Sequence, residues 1–84
     1  METLQDAVSL PMVQRYVKKL DDGLTPPPIK VDGNVIVEGN HRYVAGRVYG
    51  KEPPSVPGVI SPSQRDRIKP IKDIRVDPVD WGGH

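Results

Sequence analysis

Val13, Tyr16, Val17 and Leu20 recur at i, i+3, i+4 and i+7, the spacing that lines one face of an α-helix. Ser9 supplies an N-cap, and Pro11 falls in the first turn, where its missing N–H costs nothing. The pattern predicts a helix from Ser9 through Leu20, with Arg15, Lys18 and Lys19 on or near the other face and Gly23 as the C′ stop. Pro26-Pro27-Pro28 then forces an extended passage. Ile29-Lys30-Val31 and Val35-Ile36-Val37 read as short strands joined at Asp32-Gly33-Asn34, a tight-hairpin signal. A second helix is expected from about His41 to Tyr49, ended by Gly50, with Val44, Ala45 and Val48 as its apolar stripe.

The second half is cut up by proline. Residues 51 to 60 contain Pro53, Pro54 and Pro57 and read as loop with at most a short edge strand around Val59. Ser61-Pro62 starts a short helix carrying Arg65 and Arg67, and Ile71 to Val76 reads as a strand closed by Asp77-Pro78. The fold class that follows is α+β, a small mixed sheet with a β-hairpin and two to three short helices. One domain over residues 1–84 is expected, with its core at about 9–76 and a tail at 77–84 that ends Asp80-Trp81-Gly82-Gly83-His84.

Composition narrows the chemistry. A chain of 84 residues buries only about 60–65 % of the surface its unfolded form exposes, so a working site is expected in a surface groove. Twelve basic against eleven acidic residues give a net charge of +1, so affinity for phosphate must come from local placement of charge. There is no cysteine, which excludes disulfides, thiolate metal sites and cysteine nucleophiles. Apolar runs are far shorter than the roughly 20 residues that span a bilayer, and no signal core opens the chain, so no membrane partner is expected. No Walker-type loop, His-Glu-x-x-His motif or Gly-x-Ser-x-Gly elbow is present.

The informative unit is a strand, then Glu38-Gly39-Asn40-His41-Arg42, then a helix. A helix start presents unpaired N–H groups and partial positive charge, and a preceding glycine lets an anion approach the backbone. A histidine and an arginine in the first turn add donors, so the local chemistry suits a phosphate or another oxyanion. Glu38 suits a metal ligand, a general base or a partner that orients His41 or Arg42; Asn40 suits an N-cap or a residue that positions water. The same residues also suit purely structural work: a cap at Asn40, a half-buried His41 and a surface ion pair between Arg42 and Glu38.

The run Val37-Glu38-Gly39-Asn40-His41-Arg42-Tyr43-Val44-Ala45-Gly46 resembles the signature of the ParB/sulfiredoxin superfamily: an acidic residue or glycine, glycine, any residue, histidine or arginine, arginine, two residues, alanine. The preceding helix, the Pro27-Pro28-Ile29 lead-in to a hairpin and Gly50 after the helix match as well, over roughly Val13 to Ile60. The resemblance implies phosphate or nucleotide binding by Gly39, Asn40, His41, Arg42 and Tyr43. Sulfiredoxins need a cysteine where Asn40 stands, so their reductase chemistry is excluded. ParB partition proteins bind and hydrolyse CTP but carry a helix-turn-helix for which this chain has no room. Free-serine kinases of the group are longer chains. Small members occur as C-terminal domains of secreted bacterial toxins and are proposed nucleases, the type this chain most resembles. That type implies a metal-assisted nuclease, with Glu38, His41 and Arg42 catalytic and Mg2+ on Glu38. It also implies a nucleic-acid substrate, an immunity protein as partner, and action in the cytoplasm after delivery within a larger toxin. The alternative is a module that binds ATP or CTP.

Two further features bear on partners. Arg65, Arg67, Lys69 and Lys72 form a basic run, either a solvated face balanced by Asp66 and Asp73 or a nucleic-acid contact at Arg65, Arg67 and Lys69. Tyr43 is available for stacking on a base or for packing against a loop, and Trp81 suits a lid on the core.

Overall fold

The computed structural model describes residues 1–81, so the end of the expected tail, with His84, lies outside the described residues. Helix α1 spans Leu10–Asp21 and α2 spans Asn40–Tyr49. The strands are β1 (Glu2–Thr3), β2 (Ala7–Ser9), β3 (Ile29–Asp32), β4 (Val35–Glu38), β5 (Ser55–Pro57), β6 (Lys69–Pro70) and β7 (Arg75–Asp77). Short 3-10 helices cover Pro62–Arg67 and Ile71–Asp73. Five strands form one mixed sheet in the order β5-β3-β4-β1-β6, and β2 pairs in parallel with β7 in a second. The domain is therefore α+β, as the pattern of elements predicts.

Local signals explain both α-helices. Ser9 has extended backbone at the start of α1, and its hydroxyl accepts from the Met12 N–H at 3.5 Å. After Asp21 the chain closes on itself: the Gly23 N–H donates to Leu20 O and the Leu24 N–H to Lys19 O, both at 3.0 Å, which satisfies two terminal carbonyls. Val13 and Leu20 are buried with Val8 and Ala45, and Tyr16, Val17, Val44 and Ile74 pack around them. A second cluster joins Ile29 and Ile36 of the sheet to Tyr43, with Val31 and Ile71 beside it.

Helix α2 lies between these clusters, and that corrects its expected stripe. Tyr43 faces the sheet and Ala45 faces α1; two residues apart on a helix is about 200°, so the buried positions lie on opposite sides. Val48, expected in the stripe, is 70 % exposed, while Tyr43 is 4 % exposed. Gly46 is buried under the chain at Lys51 and Pro53: a Cβ there would stand 2.7 Å from Lys51 O and 2.8 Å from Pro53 Cδ.

Other expectations also change. The core begins before residue 9: Thr3 and Val8 are fully buried, and β1 sits inside the large sheet between β4, to which it is parallel, and β6, to which it is antiparallel. The edge strand of the proline-rich loop is Ser55–Pro57, parallel to β3, and not the region of Val59, which is 83 % exposed. The strand expected over Ile71 to Val76 is divided between a 3-10 turn and β7, because Ile71 and Ile74 belong to different apolar clusters.

Candidate functional site

The entry to α2 is built from the hairpin. Between β3 and β4 the register shifts after Lys30, so that Lys30 faces Glu38 while Val31 faces Ile36. This bulge brings the Lys30 ammonium to 3.4 Å from the Glu38 carboxylate on an exposed face. Glu38 is thus the partner of Lys30 rather than of Arg42 or His41. Among the described residues, no three acid or imidazole side chains converge as metal ligands do.

Gly39 caps α2 in the left-handed region, at φ +98°. A Cβ at this position would lie 2.6 Å from Ile29 Cγ2 and 3.0 Å from Arg42 Nη2. Glycine is needed here for close packing of α2 on β3, a requirement separate from any bound anion. The Tyr43 N–H is taken up by Gly39 O at 2.9 Å, so it is not open to a ligand. The N–H groups of Asn40, His41 and Arg42 precede the first intrahelical acceptors and remain as the polar end of the helix.

The side chains of this turn diverge. Asn40 is not the cap; it lies within the helix, 5 % exposed. Its Oδ1 accepts from Thr3 Oγ1 at 2.5 Å and its Nδ2 donates to Gln5 Oε1 at 3.1 Å. His41 turns toward the start of α1, where its Nε2 accepts the Ser9 N–H at 2.9 Å, and the Trp81 ring meets it edge-on with centroids 5.4 Å apart. Burial lowers the pKa of this imidazole below its usual 6.5. Arg42 reaches the other way, to Pro27 O at 3.3 Å, beside the C-terminal half of α1. A twelve-residue helix is about 18 Å long, so the imidazole and the guanidinium address opposite ends of α1.

Arg42 ends in a cleft of about 290 Å³, lined also by Tyr16, Lys19, Leu20, Leu24 and Pro26-Pro27. Its walls are mostly apolar, and two cations stand on its rim. The Lys19 Nζ lies 5.2 Å from the centre of the Tyr16 ring. Arg15, Lys18, Lys30, Arg47 and Lys69 each have a carboxylate partner, whereas no carboxylate pairs with Lys19 or Arg42 among the described residues. The sequence pattern points to Arg42, but it puts Tyr16 in the buried stripe of α1 and Lys19 on or near the other face and gives neither a part in a ligand site. Their spacing, three apart on one helix flank just before the proline triplet, is the signal that was available.

The remaining candidates take up other positions. Tyr43 is buried between Ile29 and Ile36, so its ring is not presented to a base. Lys69 pairs with Asp6 and holds that carboxyl below the usual range, while Arg65 and Arg67 stand exposed on the 3-10 helix. No helix among the described residues is long and apolar enough to cross a membrane. No protein-family model, no curated protein and no solved structure matches this chain.

Proposed function

We propose that the domain is a nucleotide-binding module whose ligand lies in the cleft beside α1, with its phosphates at Arg42 and Lys19. The supporting observation is the placement of Arg42, which leaves Glu38 and His41 and joins Lys19 on an apolar cleft with no carboxylate among the described residues to neutralise either cation. The positive end of α2 adds to the same potential. A phosphate answers the charge, and a base answers the walls of Leu20, Leu24 and the two prolines. The volume of 290 Å³ is close to the roughly 300 Å³ at which small-molecule pockets begin. The resemblance of Gly39 to Ala45 to the ParB/sulfiredoxin signature agrees with a nucleotide ligand. This reading is preferred to the toxin-type nuclease because Glu38, which would bind the metal or activate water, and His41, which would hold the phosphate with Arg42, are engaged with Lys30 and Ser9.

Calorimetry with ATP, CTP and inorganic triphosphate, with and without magnesium, tests it. One nucleotide is expected to bind saturably and more tightly than triphosphate, with plasmid DNA and RNA left intact. Arg42→Ala should weaken binding by about tenfold or more, the loss of a charge-assisted contact. Absence of binding for both nucleotides refutes the proposal. Plasmid or RNA cleavage that needs magnesium and stops in Glu38→Ala would establish the nuclease instead.

A further inference from the structure

The chain after β7 runs back over the start of α1 and is tied there. Ser9 Oγ donates to Val79 O at 2.7 Å and accepts the Trp81 N–H at 3.3 Å. Arg15 grips the Asp80 carboxylate at two points, 2.7 and 2.8 Å, and the Trp81 indole donates to Asp77 Oδ2 at 3.1 Å. Ser9 therefore holds this segment with its hydroxyl while its backbone N–H holds the imidazole of His41, against which Trp81 rests at 82°.

We propose that residues 78–81 form a latch over His41 that opens when the imidazole takes up a proton at Nε2. In the closed state Nε2 is an acceptor, so it carries no proton; a proton there would set one N–H against another. The contact is then lost, and the partly buried imidazolium gains fuller hydration by displacing the indole packed on it. Burial favours the neutral ring while the latch is closed, which agrees with this order of events. The charged groups around the ring are committed elsewhere: Arg15 to Asp80, Asp77 to the indole, Glu38 to Lys30 and Arg42 to the cleft. In the open state a second cation stands in the first turn of α2, where it adds to the positive potential of that helix end, although its ring addresses the other end of α1 from Arg42. This last consequence rests on the reading of the cleft at Arg42 and Lys19 as the phosphate site.

Trp81 is the single tryptophan, so its emission reports the latch directly. Emission and far-UV circular dichroism are followed from about pH 8 to about pH 4.5 in wild type, His41→Gln and Arg15→Ala. Wild type should shift to the red below about pH 6.5 with its helix signal intact. His41→Gln, which keeps an acceptor that does not titrate, should not shift, and Arg15→Ala should shift at higher pH because one anchor is gone. Ring-proton NMR of wild-type His41 should titrate in step with the emission, which covers the case of a poorly folded variant. The same transition in His41→Gln, no transition in wild type, or parallel loss of helix signal each overturns the latch. ATP calorimetry at about pH 5.5 and 7.5 separates the two readings. A severalfold gain in acid that is absent in His41→Gln supports the coupling, and equal affinity refutes it. No ATP binding at either pH sinks the cleft reading while the emission transition still establishes the latch.

Discussion

Gly39→Ala is expected to be among the most damaging single methyl additions in this domain, and three glycines allow its cost to be divided. At φ +98° an L-residue costs roughly 1–2 kcal/mol. The new methyl would also stand 2.6 Å from Ile29 Cγ2, and Ile29 is only 2 % exposed, with no room to retreat. Overpacking of this kind adds about 1–3 kcal/mol, so the whole loss is about 2–5 kcal/mol. Gly50 has a similar backbone, φ +91°, but open space around it, and Gly50→Ala should cost only the backbone part, about 1–2 kcal/mol. Gly46 is the reverse case: its backbone is helical, but Lys51 O and Pro53 Cδ crowd the site. The clash there is offset by about 1 kcal/mol of helix propensity. A domain of this length has roughly 4–13 kcal/mol in hand at ordinary stability per residue, so Gly39→Ala leaves it marginal. Urea unfolding followed by circular dichroism measures all three variants on one scale. The reasoning is refuted if Gly39→Ala unfolds at the same urea concentration as Gly50→Ala, for then the contact with Ile29 contributes nothing.

Three further outcomes follow from the core and the hydrogen bonds. Thr3→Val strands the buried Asn40 Oδ1 and should cost about 1–3 kcal/mol in urea unfolding, while adding Asn40→Leu should recover part of that loss. Tyr43→Ala empties the space between Ile29 and Ile36 and should cost about 3–5 kcal/mol; a smaller value would show that the helix collapses onto the sheet. Because the His41 pKa is lowered in the folded state, its contribution to stability is complete above about pH 6.5 and is lost as pH falls through the folded value. Thermal unfolding midpoints of wild type should therefore drop more steeply on acidification than those of His41→Gln.

What the sequence reveals here is what neighbours along the chain decide. The stripe Val13 to Leu20, the Ser9 cap, the Asp32-Gly33 turn and Gly50 all act within a few residues, and each element they mark is present. The two-residue strand Glu2–Thr3 carries no periodicity of its own; it exists because Val35 and Pro70, far along the chain, offer it ladders on both sides. Tyr43 reads as free either to stack on a base or to pack against a loop until α2 is known to be covered on two opposite faces. The position of the α2 entry was legible from Gly39 and the cationic turn. The direction of its side chains was not, because His41 answers to Ser9 and Arg42 to Pro27, contacts set by how α1 packs. The same holds for Lys19 and Tyr16, which gain meaning only when Arg42 arrives beside them.

The placement of β1 inside the large sheet, between β4 and β6, governs how the chain reaches its final form. Glu2 pairs with Val35 on one side and Pro70 on the other, and the second loop is about twice as long as the first, which raises its closure entropy by only about 0.6 kcal/mol. The hairpin of β3 and β4 can form early from local contacts, but it gains β1 only after a long excursion, and β6 only after β1 has docked. The sheet is therefore completed last at β6, whose only ladder is the one with β1. Withdrawing those two residues of β1, in turn, cuts β6 from the large sheet and leaves the β5-β3-β4 ladder as its remainder.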